Sequence, residues 1–212
     1  MALNMSAAEQ LARAAEDFKR LALRPCLRAP AAFAFLDPDR TPDPLETIHD
    51  LPAGVGVVWR DFGRSAWRSR TGRAVALCRA QARPMLMGAD VARALELRIG
   101  LHAPERRVET IRRYRLAGGS GLATAAAHSP AGLIRARCAG ADLAFLSPAF
   151  PSRSPSVKDR PILGAQAWAR WAATVPMPVY ALGGVTAQTV GALRAGPVAG
   201  LAAIDGFATE TA

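Results

Sequence analysis

The chain has 212 residues, 50% of them hydrophobic, and a formal net charge of +10; that is enough for one sizeable core and short for two. No stretch of about 18 uncharged apolar residues occurs, so no membrane-spanning helix is expected, and the charged start "MALNMSAAEQLARAAEDFKR" lacks the apolar segment of a secretory signal. Among the 27 basic residues only Lys19 and Lys158 are lysines; the arginines are dispersed without interleaved aromatics, which argues against specific nucleic-acid binding and for attraction of small phosphorylated ligands.

In chain order, a helix is expected at about Ser6–Leu23, with Ser6 and Glu9 forming a capping box. "AAFAFL" (Ala31–Leu36) reads as a strand, followed by the turn-like "DPDRTPDP" and a short helix near Leu45–Leu51. The strand "GVGVVW" (Gly54–Trp59) precedes an arginine-rich helix from about Ser65 to Ala82. "RPMLMG" (Arg83–Gly88) leads into a helix over Asp90–Leu97, and "RIGLH" (Arg98–His102) into one over about Glu105–Tyr114. "GSGLATAA" (Gly119–Ala126) precedes a helix from Ser129, and "DLAFL" (Asp142–Leu146) opens onto the proline-rich, charged "SPAFPSRSPSVKDRPILG", with a helix bearing two tryptophans beyond it. "PVYALGG" (Pro178–Gly184), a helix over Ala187–Arg194 and "VAGLAAI" (Val198–Ile204) complete the series.

Eight continuous apolar runs alternating with amphipathic segments at roughly 25-residue spacing imply a parallel sheet covered on its faces. The expected architecture is α/β: a single (β/α)8 TIM barrel over 31–212, with residues 1–30 an extra N-terminal helix and lead-in, and a truncated C-terminal helix for which the first helix partly substitutes. No GxGxxG follows the first strand, which weakens a dinucleotide-binding reading. Cys26, Cys78 and Cys138 are far apart and form no CxxC, as expected of a reduced, cytoplasmic protein.

In such a barrel the loops after the strands build the active site. The chemistry-bearing residues there are Asp37, Arg60, Asp90, His102, Glu105, His128, the loop Ser147–Gly164, Gly183, Gly184, Asp205 and Gly206. Arg60 suits a diphosphate contact or a structural salt bridge, His128 an acid–base role or a backbone-bonded helix start, and Asp90 a metal ligand or a helix N-cap.

Taken in order, "FAFLDPDR", "VGVVWRDFG", "GLHAPE", "AAAHSPAGLIRARCAGADLAFLSPAFPSRS" and "VYALGGVTAQTVGALRAGPVAGLAAI" resemble the thiamine phosphate synthase family, which includes the TenI-type thiazole tautomerases. The resemblance runs from about Ala32 to Phe207. It implies thiamine biosynthesis: hydroxymethylpyrimidine diphosphate is joined to thiazole phosphate with release of diphosphate. It further implies catalytic roles for Arg60, His128 and Lys158, and substrate or phosphate binding by Gly183, Gly184, Arg153, Asp205, Gly206 and His102. The Mg²⁺ of the family falls to Asp90 and Glu105, because the matched metal-ligand positions are Ala89 and Arg107. Other family positions are also replaced: Val58, Phe62, Ala126, Pro148 and Pro155 stand where polar or catalytic side chains are expected, with Lys158 three places beyond Pro155. Two alternatives follow. One is a catalytically degenerate binder of thiazole phosphate or thiamine phosphate. The other is a TenI-like enzyme acting on a related small phosphorylated ligand, with Asp205, His128 and Lys158 as acid–base set. A homodimer is compatible with either.

Overall fold

All eight expected strands form, and each lies parallel to its neighbours. In the computed structural model, which describes residues 5–26, 28–152 and 161–207, they are β1 (Ala32–Leu36), β2 (Val55–Trp59), β3 (Met85–Gly88), β4 (Gly100–Ala103), β5 (Ala123–Ala127), β6 (Leu143–Leu146), β7 (Val179–Ala181) and β8 (Gly200–Ala203). They run in sequential order around a closed barrel, β8 pairing back to β1 through Ala32 opposite Leu201. The helices are α1 (Ala7–Leu21), α2 (Pro44–Asp50), α3 (Ser65–Ala80), α4 (Val91–Glu96), α5 (Thr110–Leu116), α6 (Pro130–Cys138) and α7 (Gly164–Ala172). The protein is thus a (β/α)8 barrel.

Strand period separates two apolar layers. In β1, Phe33 and Phe35 belong to the cluster filling the barrel, with Val58, Leu86, Leu143, Phe145 and Tyr180. Ala32, Ala34 and Leu36, the alternate residues, belong to the sheath under the helices. The lumen is unusually aromatic: Phe33 and Phe35 meet Phe145 edge-to-face at centroid distances of 5.4 and 5.0 Å. Room for these rings comes from inward glycines. A Cβ on Gly56 would lie 2.7 Å from the Phe33 ring, and one on Gly200 2.3 Å from the Tyr180 ring.

Helix α1 starts with the expected capping box, Ser6 and Glu9 exchanging hydrogen bonds of 3.2 and 2.8 Å. Its buried residues Leu11, Ala15 and Phe18 join the sheath core. The helix packs against β8, β1 and the turn Asp205–Phe207, the space a helix after β8 would cover.

Two expected helices are different in kind. The segment expected as a helix over Glu105–Tyr114 divides into a 3₁₀ turn, Glu105–Arg107, and α5. The Thr110 hydroxyl donates to the Arg107 carbonyl at 2.6 Å and ends the turn there. The one expected over Ala187–Arg194 is a 3₁₀ helix at Val190–Ala195. Before it, the Thr189 hydroxyl donates to the Gly184 carbonyl and accepts from the Thr186 amide, so side-chain bonds replace a helical first turn.

Among the described residues, no helix is long and apolar enough to cross a membrane.

Candidate active site

Continuing the inward alternation beyond each strand places a ring of side chains at the C-terminal mouth of the barrel. The floor is made by Phe35, His102, Ala126, Ser147, Leu182 and Ile204, and above it opens a cavity of about 900 Å³. Arg60, Arg68, Arg106, Arg107 and Arg113 line it, as do Asp61, Asp90 and Glu105.

Arg60, two residues beyond the last inward side chain of β2, lies under Phe62 and over Phe35, its guanidinium 5.5 and 5.1 Å from the ring centres. It donates to the buried carboxylate of Asp37 at 2.5 Å, and Arg40 donates to the same oxygen at 2.8 Å. The structural salt bridge therefore exists, and it coexists with a place on the cavity wall. Burial lowers the Arg60 pKa to about 10, with the Asp37 charge working the other way. The side chain stays charged at neutral pH. Phe62 is 62% exposed with φ of 48°, a left-handed conformation disfavoured for an aromatic residue.

His102 lies between Phe35 and Phe145, at centroid distances of 5.1 and 5.5 Å, with Nδ1 3.0 Å from the Thr124 hydroxyl. Burial first, and the charges of Arg60 and His128 second, depress its pKa to about 3. The imidazole is neutral, a polar group set in an aromatic floor.

His128 follows β5 and places Nδ1 2.5 Å from the Glu105 carboxylate. The second Glu105 oxygen accepts from Arg135 at 2.5 Å. Asp90 caps α4, accepting from the Arg93 amide at 3.0 Å, and its other oxygen accepts from Arg68 at 2.8 Å. Asp90 and Glu105 both face the cavity, but cationic partners already occupy them. Among the described residues no cluster of three or more His, Cys, Asp or Glu side chains has the arrangement of a metal site. Asp90 and Glu105 as held here are not free to ligate Mg²⁺, which takes one or two carboxylates together with waters and substrate phosphates.

Gly183 lines the cavity. It and Gly184 have φ of 88° and 64°, and a Cβ on Gly184 would lie 2.3 Å from the Pro151 carbonyl oxygen. The double glycine thus lets β7 dock against the loop after β6; the Phe150 amide donates to the Gly183 carbonyl at 2.9 Å. With the following helix beginning only at Val190, the pair lies in a turn and not at a helix start. Asp205 is exposed, and neither it nor Gly206 lines the cavity. Gly206 instead packs toward Val185 and Leu11. Arg153, Pro155 and Lys158 lie outside the described residues; of their loop, Ser147 and Ser152 reach the cavity.

Arg68, Arg106 and Arg113 are absent from the sequence reading as site residues, and Phe62 and Arg107 enter it only as replaced family positions. The only sequence signal for Arg106, Arg107 and Arg113 was the run "PERRVETIRR" following a strand.

Fold and cavity define a (β/α)8 barrel with an arginine-rich cavity opening at the C-terminal ends of the strands. The chain belongs to the family described as thiamine monophosphate synthase, whose family model matches residues 55–207. A thiamine phosphate pyrophosphorylase from Pyrococcus furiosus shares the fold at TM-score 0.70 and 18% identity, covering 84% of this chain and 88% of that one. FabK from Thermotoga maritima matches at TM-score 0.62 and 14% identity, over 90% of this chain and 60% of that one. At these identities the structural likeness shows the barrel alone. No curated protein matches the sequence. Family membership supports a role in thiamine biosynthesis.

Proposed function

We propose that the protein is a divergent thiamine phosphate synthase, a transferase that couples hydroxymethylpyrimidine diphosphate to thiazole phosphate. The observation that carries this reading is the cavity of about 900 Å³, which joins an aromatic floor to an arginine-rich wall. Its size lies in the range of small-molecule sites, about 300–1,000 Å³, and two flat rings with phosphate tails match its two kinds of surface.

In the reaction, the bond between the pyrimidine methylene carbon and the diphosphate oxygen breaks, and both electrons leave with diphosphate. The lone pair of the thiazole nitrogen then forms the new C–N bond. No proton or redox equivalent is consumed. Arg60 stabilises the charge growing on the leaving group. The neutral His102 adds no positive charge to the floor beneath a cationic pyrimidine. His128, held by Glu105 on the cavity wall, hydrogen-bonds the substrate in this reading. Gly183 offers backbone at the same wall, and Arg153 and Lys158, which follow Ser152 in the sequence, bind the phosphates. These roles fit a cytoplasmic enzyme that acts on small molecules and needs no nucleic acid or membrane.

The second reading is a binder of thiazole phosphate or thiamine phosphate without turnover. It is favoured by one observation: Arg60 and Arg68 are both already tied to carboxylates. Incubation with both substrates, followed by chromatographic detection of thiamine phosphate, separates the two. Product formation, lost at least about 100-fold in Arg60→Met, is expected of an electrostatic contact to the leaving group. Thermal stabilisation by thiamine phosphate with no product would establish the binder. Neither product nor stabilisation at millimolar ligand would overturn both.

A further inference from the structure

The cavity wall formed by the segment after β4 carries an imbalance of charge that the reading above leaves unused. Arg106 and Arg107, on the 3₁₀ turn, and Arg113, on α5, all line the cavity and are exposed. No ion pair or side-chain hydrogen bond engages any of the three among the described residues. Two of the neighbouring carboxylates do not cancel them, Asp90 being held by Arg68 and the cap of α4 and Glu105 by His128 and Arg135; the third, Asp61, is buried and accepts from the Gly63 amide at 2.9 Å. In all, five arginines and three carboxylates line the cavity. A wall with unpaired guanidinium groups and pre-engaged carboxylates has the chemistry of an anion receptor. It does not have the chemistry of a divalent-cation site.

We propose that Arg106, Arg107 and Arg113 form a diphosphate-binding subsite that works without a metal ion, the guanidinium groups supplying the charge that Mg²⁺ would otherwise bring. Arginine suits this task because its planar donors meet phosphate oxygens in pairs and remain charged at any physiological pH. The short turn Glu105–Arg107 carries two of the three side chains at the cavity wall, and the Thr110 hydroxyl anchors the backbone of that turn by its bond to the Arg107 carbonyl at 2.6 Å. The ligand class is a diphosphate, free or esterified, and the inference rests on the synthase reading for its place in a reaction but not for binding itself.

The test is calorimetric titration of the full chain with inorganic pyrophosphate, in metal-stripped buffer containing EDTA and again with Mg²⁺. Binding in EDTA is expected to be at least as tight as with Mg²⁺. The triple variant R106Q/R107Q/R113Q is expected to bind at least about tenfold more weakly, since each charge-assisted bond is among the stronger hydrogen bonds. R112Q, an exposed arginine of the same helix that does not line the cavity, should bind within about twofold of the parent. Thermal melts of all variants confirm folding. Binding that requires Mg²⁺, a triple variant that binds like the parent, or no pyrophosphate binding at all would each overturn the proposal. Metal-free pyrophosphate binding without thiamine phosphate formation would keep the subsite and remove the synthase reading. Product formation only with Mg²⁺ would do the reverse.

Discussion

At the scale of single residues, His102 shows how the site was built. Its position two residues after an inward glycine of β4 puts the ring between Phe35 and Phe145, buried at the cavity floor. The unfolded chain takes up a proton near pH 6.5, whereas the folded chain resists until about pH 3. Below pH 6.5 the unfolded state therefore binds more protons, so stability is full above that pH and falls as pH drops toward 3. The slope from this one group is at most about 1.4 kcal/mol per pH unit. Urea denaturation at pH 7, 6, 5 and 4 should show a shallower acid loss for His102→Gln than for the parent; identical slopes would mean that another group carries the effect. Arg60, His102 and His128 were legible in the sequence because each stands just beyond an apolar run, and strand alternation aims it inward. Their partners were not. Asp37 lies 23 positions from Arg60, and Glu105 lies 23 from His128 and 30 from Arg135, and no local pattern specifies such pairs.

At the scale of elements, the strands were easier to read than the segments that follow them. Apolar runs bounded by Gly, Pro and Asp fix a buried parallel strand, since both faces must be covered. The inward glycines of β2 and β8 then make room for the rings opposite, Phe33 and Tyr180. In Gly200→Ala the new Cβ would lie 2.3 Å from the Tyr180 ring and 2.5 Å from the Ala31 carbonyl. Overpacking of that kind costs about 1–3 kcal/mol, measurable as a lower denaturation midpoint. No change on substitution would show that the β7–β8 contact yields freely. The 3₁₀ turns were misread as helices because Glu105–Tyr114 and Ala187–Arg194 carry helical composition. What breaks them is side-chain competition for backbone groups by Thr110 and by Thr186 with Thr189.

At the scale of the molecule, α1 behaves as part of the barrel. Leu11 is fully buried between it and the turn Asp205–Phe207. Leu11→Ala should destabilise the whole domain by about 2–4 kcal/mol in a single cooperative transition. A loss well below that, or a separate early transition, would mark the helix as an appendage. The barrel and the end at which its site lies followed from the sequence alone, because eight apolar runs separated by amphipathic segments have few ways to hide both faces of a sheet. The sequence also determined which positions face the lumen, through the two-residue period. Only the tertiary structure decided which charges meet. Closing the barrel brings Asp37 to Arg60, Asp90 to Arg68, and Glu105 to both His128 and Arg135, leaving Arg106, Arg107 and Arg113 facing the cavity. That choice depends on distances of a few ångströms across strands, which chain order does not encode.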